Sequence, residues 1–432
     1  MERYNDYKDS GVQWLGEIPS HWETRTLKYC CSLKGRIGWN GLRSEEFQDT
    51  SFAYLVTGQD FIGSEIDWSK CYQISKERYE EDPYIQLNNG DMLITKDGTI
   101  GKVAKVTNLD KPACLNSGIF VIKQKGSYFN QGFLYWMLCS NVLKEFNVYT
   151  QTGATIAHLY QNVFENMPCL LPPISEQQTI SDYLDTATAK IDAAIAQQKK
   201  MIELLNERKQ IIINNAVTKG LNPDAPMKDS GVDWIGEIPE HWEMKRLKTI
   251  LSVKDKRNVD PEALLLSVYT AIGVRPRQEL EERGNKASTV INYKIVSKGD
   301  LIVNRLLAWM GAYGLSNYDG VTSPDYDVYS FHADVNRGYY ETLFRNTQFK
   351  SDCYKYGHGI MMMRWRTYSD EFLSINVPIP PRQEQDAIFD YLKPQIDKIE
   401  EGIEQCDRMV TLLQERKQII INDVVTGKVK VC

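Results

Sequence analysis

Two short patterns carry residue types that could bind phosphate or a catalytic metal. Gly98-Thr99-Ile100-Gly101-Lys102 resembles part of a phosphate-binding loop, but its glycines stand too close together and Val103 occupies the position of the magnesium-binding Ser or Thr. We interpret it as a β-turn. Pro223-Asp224 followed by Glu243-Met244-Lys245 loosely matches a nuclease metal site, yet the corresponding Glu23-Thr24-Arg25 has no Pro-Asp before it. Neither pattern predicts a catalytic centre.

Histidines and cysteines do not form a metal-binding pattern either. The nine cysteines include no C-x-x-C pair, and none of the five histidines is paired at metal-ligand spacing. We therefore expect free thiols, no disulfide framework and no bound metal. His21-Trp22 and His241-Trp242 recur in equivalent surroundings, and we expect them to pack rather than to catalyse.

The chain is built from two copies of one plan. Residues 8–28 and 228–248 are identical at 15 of 21 positions, and residues 171–220 and 379–428 agree at 25 of 50. The first pair is offset by 220 residues and the second by 208, so the segment between them is 12 residues shorter in the second copy. Each copy is an arm, a variable segment and a helix. Their boundaries are 1–28, 29–170 and 171–220 in the first copy, and 221–248, 249–378 and 379–432 in the second.

The variable segments have diverged but keep common marks. A turn at Asn89-Gly90 and another at Lys298-Gly299 each precede an apolar strand, and Gly132 and Gly338 each open a predicted helix. Short β-type runs mixed with one helical stretch, Phe133 to Phe146 or Tyr339 to Tyr354, indicate an α/β or α+β domain. The pattern leaves its topology open.

Each variable segment is followed by two prolines, which favour a helix start because proline is tolerated in the first turn. We expect Ser175 to cap the first helix. Each helix would span roughly 40 residues, or about 60 Å, and its apolar residues step by three and four, as in a coiled-coil seam. The alternative is that each helix packs on its own domain. The candidates for this helix-to-helix seam, or for docking partner subunits, are Ile180, Leu184, Ile191, Met201 and Leu205 on the first helix, and Ile388, Leu392, Ile399, Met409 and Leu413 on the second.

Three motifs together resemble the specificity subunits of type I restriction-modification systems. They are the arm SGVxWxGEIPxHWE, the helix start PPxxEQxxI and the helix end ERKQIII, and they cover the whole chain in order. The resemblance implies a mixed α+β fold with two target-recognition domains, separated by two long helices that form an antiparallel coiled coil with pseudo-twofold symmetry. Each domain would read one half of a split duplex DNA site.

The resemblance also implies partners and a place in the cell. The helices would dock two modification (methyltransferase) subunits, with motor and restriction subunits completing the complex. S-adenosylmethionine, ATP and magnesium would bind those partners, and this chain would bind no cofactor and catalyse nothing. No run of about 18 apolar residues predicts a membrane span, so we expect a cytoplasmic prokaryotic protein without a membrane partner.

Side chains that read base edges are chiefly Arg, Lys, Asn and Gln, and both variable segments contain candidates. They are Arg36, Arg43, Lys96, Lys102 and Gln151 in the first segment, and Arg275, Arg277, Arg305, Arg364 and Arg366 in the second.

Two other functions compete with DNA recognition. A net charge of −6 counts mildly against DNA binding, which basic surfaces drive, and it suits a coiled-coil scaffold with no nucleic-acid role. A scaffold, however, has no need for two divergent domains. A self-sufficient methyltransferase or nuclease is disfavoured because its motifs are missing.

Overall fold

The computed structural model describes residues 2–36, 42–150, 158–270, 272–279, 289–359 and 365–431. The chain folds into two compact units, of which the first comprises Met1–Gln198 with Arg408–Cys432 and the second Lys199–Asp407. Each unit contains one arm, one variable segment and part of both long helices. Two DNA-contact candidates, Gln151 and Arg364, lie outside the described residues.

The first unit is a mixture of short strands and helices. Its strands are β1 (Tyr7–Asp9), β2 (Glu17–Pro19), β3 (Glu23–Thr26), β4 (Cys31–Gly35), β5 (Ala53–Val56), β6 (Phe61–Ile62), β7 (Glu65–Ile66), β8 (Tyr72–Ile74), β9 (Met92–Thr95), β10 (Val103–Lys105), β11 (Ala113–Leu115), β12 (Ile119–Gln124) and β13 (Pro168–Leu171). Its helices are α1 (Leu27–Cys30), α2 (Lys76–Glu80), α3 (Gln131–Cys139), α4 (Asn141–Thr150), α5 (Gln161–Phe164) and the first part of α6 (Ile174–Lys219).

The second unit repeats this plan. Its strands are β14 (Met227–Asp229), β15 (Glu237–Pro239), β16 (Glu243–Arg246), β17 (Leu251–Val253), β18 (Leu266–Tyr269), β19 (Gly273–Pro276), β20 (Lys294–Val296), β21 (Leu301–Asn304), β22 (Tyr313–Leu315), β23 (Gly320–Thr322), β24 (Tyr326–Phe331) and β25 (Asn376–Ile379). Its helices are α7 (Arg337–Phe344), α8 (Phe349–Tyr356), α9 (Ser369–Ser374) and the first part of α10 (Arg382–Val425).

A four-stranded antiparallel sheet organises each variable segment, in the order β10-β9-β12-β4 in the first unit and β22-β21-β24-β17 in the second. The central strands β9 and β21 are buried on both faces. Met92 and Ile94 of β9 pack into one core while Leu93 packs into another, because successive side chains of a strand point to opposite faces. The predicted α+β class is therefore confirmed, and in each unit the sheet lies between two hydrophobic cores.

A carboxylate, buried in Glu176 and half-buried in Glu384, joins each arm to the helix that follows its domain. Glu176 on α6 accepts hydrogen bonds from the Trp22 indole at 3.0 Å, from His21 at 2.8 Å and from the Tyr4 hydroxyl. Glu384 on α10 accepts bonds from the Trp242 indole at 2.9 Å and from His241 at 2.6 Å. Both tryptophans are fully buried. The tryptophans of the repeated pair thus pack, as predicted, while His21 and His241 bond the carboxylates from half-exposed positions.

The glutamine after each of these glutamates positions the first helix of the domain. Gln177, which is buried, accepts a bond from the Asn130 amide at 2.8 Å and donates to the Pro172 carbonyl at 2.8 Å. Gln385 does the same for the Asn336 amide, at 2.9 Å, and the Pro380 carbonyl, at 2.8 Å. The Glu-Gln of the repeated motif is therefore a structural joint.

The long helices pair in antiparallel fashion. Within the second unit, Lys209 of α6 bonds Glu400 of α10 at 2.5 Å, and Leu205, one turn earlier on α6, lies beside Gly402, further along α10. Within the first unit, Lys417 of α10 bonds Asp192 of α6 at 2.6 Å. Each unit thus contains one antiparallel helix pair, as the resemblance to the specificity subunits implies.

The apolar stripe of the helices is not one continuous seam. Ile180 and Leu184 pack into the core of the first unit, and Ile388 and Leu392 into that of the second, so the helix starts belong to their domains. Residues nearer the helix centres differ among themselves: Ile399 is buried, Ile191, Leu205 and Leu413 are half-buried, and Met201 and Met409 are exposed. The prediction of a helix-to-helix seam is therefore wrong for Met201 and Met409, because they face solvent.

Two other local predictions need correction. Helix α6 begins at Ile174, directly after the prolines, so Ser175 lies in its first turn and is not the cap. The single helical stretch predicted in each domain is two helices. The first is interrupted at Ser140, whose hydroxyl donates to the Met137 carbonyl at 2.7 Å and accepts from the Val142 amide at 3.2 Å. Such side-chain bonds to the backbone compete with helix continuation.

The ends of the described chain meet in the first unit. The Lys430 amide donates to the Glu2 carbonyl at 2.9 Å, and the Tyr7 hydroxyl donates to the Gly427 carbonyl at 3.0 Å. Gly427 has a φ of 72° and lies against Trp22, just as Gly220, at the end of α6 with the same φ, lies against Trp242. The helix-to-arm junction therefore has the same form in both units. None of the described helices has the length and apolar character to cross a membrane.

Gly338 is required where α7 crosses α10, because a Cβ there would overlap the Phe389 ring. We expect Gly338→Ala to lower the free energy of unfolding by about 1–3 kcal/mol through overpacking. Gly402→Ala is the matched control, since its Cβ would lie at an ordinary 3.5 Å from Leu205 and alanine favours a helix by up to about 1 kcal/mol. Denaturant midpoints measure both; equal midpoints for the two variants would contradict this packing role.

Candidate nucleic-acid interface

A basic residue directly follows the central strand of each sheet. β9 ends at Thr95 and β21 at Asn304, so Lys96 and Arg305 occupy the same position in the two domains. The loops that begin there connect β9 to β10 and β21 to β22. In the first domain both loop glycines have positive φ, 67° at Gly98 and 84° at Gly101. The loop is thus a turn, as predicted.

In the first domain Lys96 is held over an aromatic ring. Its ammonium lies 5.5 Å from the centroid of Phe120, a residue of the neighbouring strand β12, and 3.2 Å from the Asp97 carboxylate. Only 14% of the side chain is exposed. The imidazole of His158 bonds the same Asp97 and packs edge-on against Tyr160, with ring centroids 4.4 Å apart. Cationic, imidazole and aromatic groups therefore meet at this strand end.

In the second domain the equivalent arginine is held by a carboxylate. Arg305 donates from Nε and Nη2 to the two oxygens of Asp327 on β24, at 2.8 and 2.5 Å. Asp327 also accepts a bond from the buried Lys294 ammonium at 3.0 Å. Because β24 corresponds to β12 with the same register, Asp327 stands where the first domain has Phe120.

A second segment joins the same edge in both domains. The Leu159 amide donates to the Lys96 carbonyl at 3.0 Å, and the Thr367 amide donates to the Arg305 carbonyl at 3.1 Å. Leu159 and Thr367 are related by the 208-residue offset of the repeat, which also matches His158 with Arg366 and Tyr160 with Tyr368. We name these two surfaces the reading edges. The first consists of Lys96, Asp97, Lys102, His158 and Tyr160, and the second of Arg305, Asp327, Arg366 and Tyr368.

At the second reading edge the charged groups of Asp327, Arg305 and Lys294 affect one another's pKa values. Burial by itself would raise the pKa of Asp327, but hydrogen bonds from Arg305 and Lys294, and their charges, outweigh it and keep that pKa below its ordinary value. The hydrogen bond with Asp327 in turn raises the pKa of Arg305. Both groups are therefore ionised at neutral pH.

Four candidates lie on these edges. Lys96 and Lys102 belong to one loop, with Lys102 exposed, and Arg305 is joined through Thr367 to the exposed Arg366. Gln151 and Arg364 lie outside the described residues, in segments that directly precede His158 and Trp365.

Arg36 is a correction to the predicted set. Only 4% of the residue is exposed, and its guanidinium donates to the Leu115 carbonyl at 3.0 Å and contacts the Cys114 sulfur at 3.4 Å. Such a side chain cannot reach a base edge.

The other three candidates lie elsewhere in their domains. Arg43 is exposed beside a short 3-10 turn, Ser44–Glu46. Arg275, on β19, is half-buried and lines a cleft with Glu341 and Arg345, and Arg277 is half-buried in the next turn.

Several edge residues escaped the sequence analysis. The candidates predicted from the sequence are all Arg, Lys or Gln residues. They therefore do not include Asp97, His158, Tyr160, Asp327 and Tyr368. The sequence does contain one signal for them. The 208-residue offset between the two long helices, if it is extended to the end of the variable segments, pairs His158 with Arg366. No cluster of His, Cys, Asp and Glu suited to a metal occurs among the residues that the structure describes.

Comparison with known proteins shows which proteins the chain resembles. Residues 19–204 match the family described as "Type I restriction modification DNA specificity domain". The MjaX and MjaVIII type I restriction enzyme specificity subunits of Methanocaldococcus jannaschii are 26% and 25% identical to it, each over 96% of this chain and over 96% and 94% of their own lengths. The similarity to type I specificity subunits thus extends along nearly the whole chain.

The fold of the family extends over the whole chain. A chain from a solved structure, described as concerning complex assembly and conformational transition of the type I R-M system, superposes with a TM-score of 0.69 at 14% identity. The match covers 95% of this chain and 99% of that one. Two domains with a helical coiled coil are therefore the fold of this protein.

Lys102 and Arg366 test whether the reading edges face the duplex. Both are exposed cations, so we expect Lys102→Ala and Arg366→Ala each to weaken DNA binding and to reduce the slope of log affinity against log salt by about 1. The control is Lys8→Ala, which removes an exposed lysine of the arm. Titration of the assembled complex with duplex DNA at several salt concentrations measures the slopes. Unchanged slopes for both edge variants would place the edges away from the phosphates.

Proposed function

We propose that this chain recognises a bipartite duplex DNA site, with each reading edge contacting one half-site, and thereby directs methylation and cleavage by partner subunits. One observation carries this proposal: the two edges share a backbone arrangement but differ in chemistry. Lys96, Phe120 and His158 in one domain stand where Arg305, Asp327 and Arg366 stand in the other. Different polar groups on one frame suit two different base sequences.

The scaffold alternative does not account for this arrangement. A protein that only assembles partners has no need for cations held at equivalent strand ends by different neighbours. We also propose that S-adenosylmethionine, ATP and magnesium bind to the partner subunits and not to this chain.

Two equivalent apolar stripes on the long helices are the proposed docking sites for two methyltransferase subunits. Met201, Leu204 and Ile211 on α6, and their counterparts at an offset of 208, Met409, Leu412 and Ile419 on α10, are each 46–58% exposed. Their spacing places each set on one face of its helix. Exposed apolar surface of this kind marks a protein interface, and a duplicated surface suits two copies of one partner.

Domain replacement tests the bipartite function. Exchanging residues 29–170 for the corresponding segment of a related subunit should change one half of the methylated site and leave the other half intact, because each sheet with its two cores lies within one unit. Methylome sequencing of cells that express the chain with its methyltransferase partner reads out both halves, with partner-only cells as the control. If the exchange altered both half-sites, or if the wild-type chain gave no bipartite methylation, the proposed function would be refuted.

Leu204 and Leu412 test the two docking sites. We expect Leu204→Glu or Leu412→Glu to leave one bound methyltransferase subunit per chain, and the double variant to bind none, because each change places a charge in one apolar contact. Asn206→Glu adds the same charge to an exposed polar position of α6 and should still bind two. Light scattering of the complexes gives the stoichiometry. Two bound subunits with the double variant would exclude these stripes as the docking surface.

A further inference from the structure

Arg305 is gripped along one side of its guanidinium. The Nε and Nη2 groups donate to the two carboxylate oxygens of Asp327, and Nη1 has no acceptor among the described residues. The carboxylate is 1% exposed, whereas 28% of the arginine side chain is exposed. The end of the guanidinium formed by Nη1 and Nη2 is therefore the part left for a ligand.

The charges around Arg305 cancel. Asp327 is shared between Arg305 and Lys294, and the Lys294 ammonium lies a further 3.8 Å from Asp255. Asp255 also bonds Arg257 at 2.6 Å, and the charge of Asp325 acts on Arg305, so three cations and three carboxylates form the cluster. Phosphate binding is driven by net positive charge, which this cluster does not supply. What it offers is a pair of N–H donors in a fixed orientation.

Two parallel N–H donors match the acceptor edge of guanine. In the major groove guanine presents N7 and O6, and a bidentate arginine is the commonest side chain that reads them. Adenine places an N–H donor where guanine has O6, and would leave one guanidinium donor unpaired. An arginine whose other side is already bonded to a carboxylate has lost much of its side-chain freedom before it meets the base.

We propose that Arg305 reads a guanine in the half-site of the second domain, and that Asp327 is the positioning residue that orients it. The inference rests on the proposed function and adds to it one base and one residue pair. The first domain has no counterpart of this pair, since Phe120 stands at the position of Asp327 and Lys96 at that of Arg305. The effect is therefore confined to one half-site.

The test uses the full chain assembled with its methyltransferase partner, and a duplex library randomised in both half-sites. We expect the wild type to select G·C at one position of one half-site, and Arg305→Ala to lose that preference by on the order of ten- to a hundredfold. Arg305→Lys keeps the charge but cannot bond Asp327 and guanine together in this geometry, and should lose most of the preference. The other half-site is the internal reference.

Arg382→Lys is the matched control. Arg382 is also held by carboxylates, those of Asp334 and Asp386, and its side chain is 43% exposed, but it lies at the start of α10 and not on the reading edge. The selected sequence should not change with this variant.

The positioning role of Asp327 needs a variant that still folds. Asp327→Asn leaves the buried Lys294 without its nearest carboxylate, and losing one partner of a buried ion pair is strongly destabilising. The double variant Lys294→Met with Asp327→Leu removes both charges, and replacing a buried pair by apolar residues is often tolerated. We expect this variant, checked by thermal melting, to retain general DNA affinity but to lose the guanine preference.

Each other outcome has a separate meaning. If Arg305→Ala weakened binding equally at every sequence and changed the salt dependence, Arg305 would contact phosphate and the inference would be overturned. An unchanged guanine preference in Arg305→Ala, or in the folded double variant, would overturn the role of Arg305 or of Asp327 respectively. A wild-type complex that selected no sequence at all would refute the proposed function itself.

Discussion

The contact on which each unit depends is the carboxylate that joins its arm to its long helix. Glu176 and Glu384 lie in the first turn of α6 and α10 and accept the indole N–H of a fully buried tryptophan. Burial alone would raise the pKa of Glu176, but hydrogen bonds from Tyr4, His21 and Trp22 outweigh it and lower that pKa, so the joint is anionic near neutral pH. The adjacent glutamine then holds the start of the next helix. One short motif thereby positions arm, helix and domain together, and this explains why it recurs in both copies while the domains diverge.

The divergence is possible because the frame and the reading edges use different residues. Strands β9 and β21 are buried on both faces, so the side chains at 92–94 and 301–303 must stay apolar and of similar volume. The loops that begin at their ends carry no such constraint, and substitutions there alter the edge without opening a cavity. Lys96 over Phe120 and Arg305 on Asp327 are two solutions to holding a cation at one backbone position.

The acidic balance of the chain agrees with this arrangement. Asp97 and Asp327 each bond a cationic group of their own edge. A cation neutralised in this way contributes little to general attraction for phosphate and more to the geometry of hydrogen bonds. Net charge therefore says little about which residues of this protein face DNA, because it averages over surfaces with different roles.

The sequence alone determined the two-copy plan, the long helices, the α+β class and the packing role of His21-Trp22, because each depends on local pattern or on identity between the copies. The antiparallel pairing followed from the resemblance to a known family. Only the tertiary structure showed that Ile180 and Ile388 belong to domain cores, that Met201 and Met409 face solvent, and that Arg36 is buried. The spacing of apolar residues on a helix is the same whether they face a domain core, another helix or solvent. The residue type of an arginine likewise does not show whether its side chain is buried. The reading edges could not be predicted from the sequence either, because their residues are far apart in the chain. Lys96 and His158 in one domain, and Arg305, Asp327 and Arg366 in the other, come together only through the register of the sheet and the later segment that bonds to its edge.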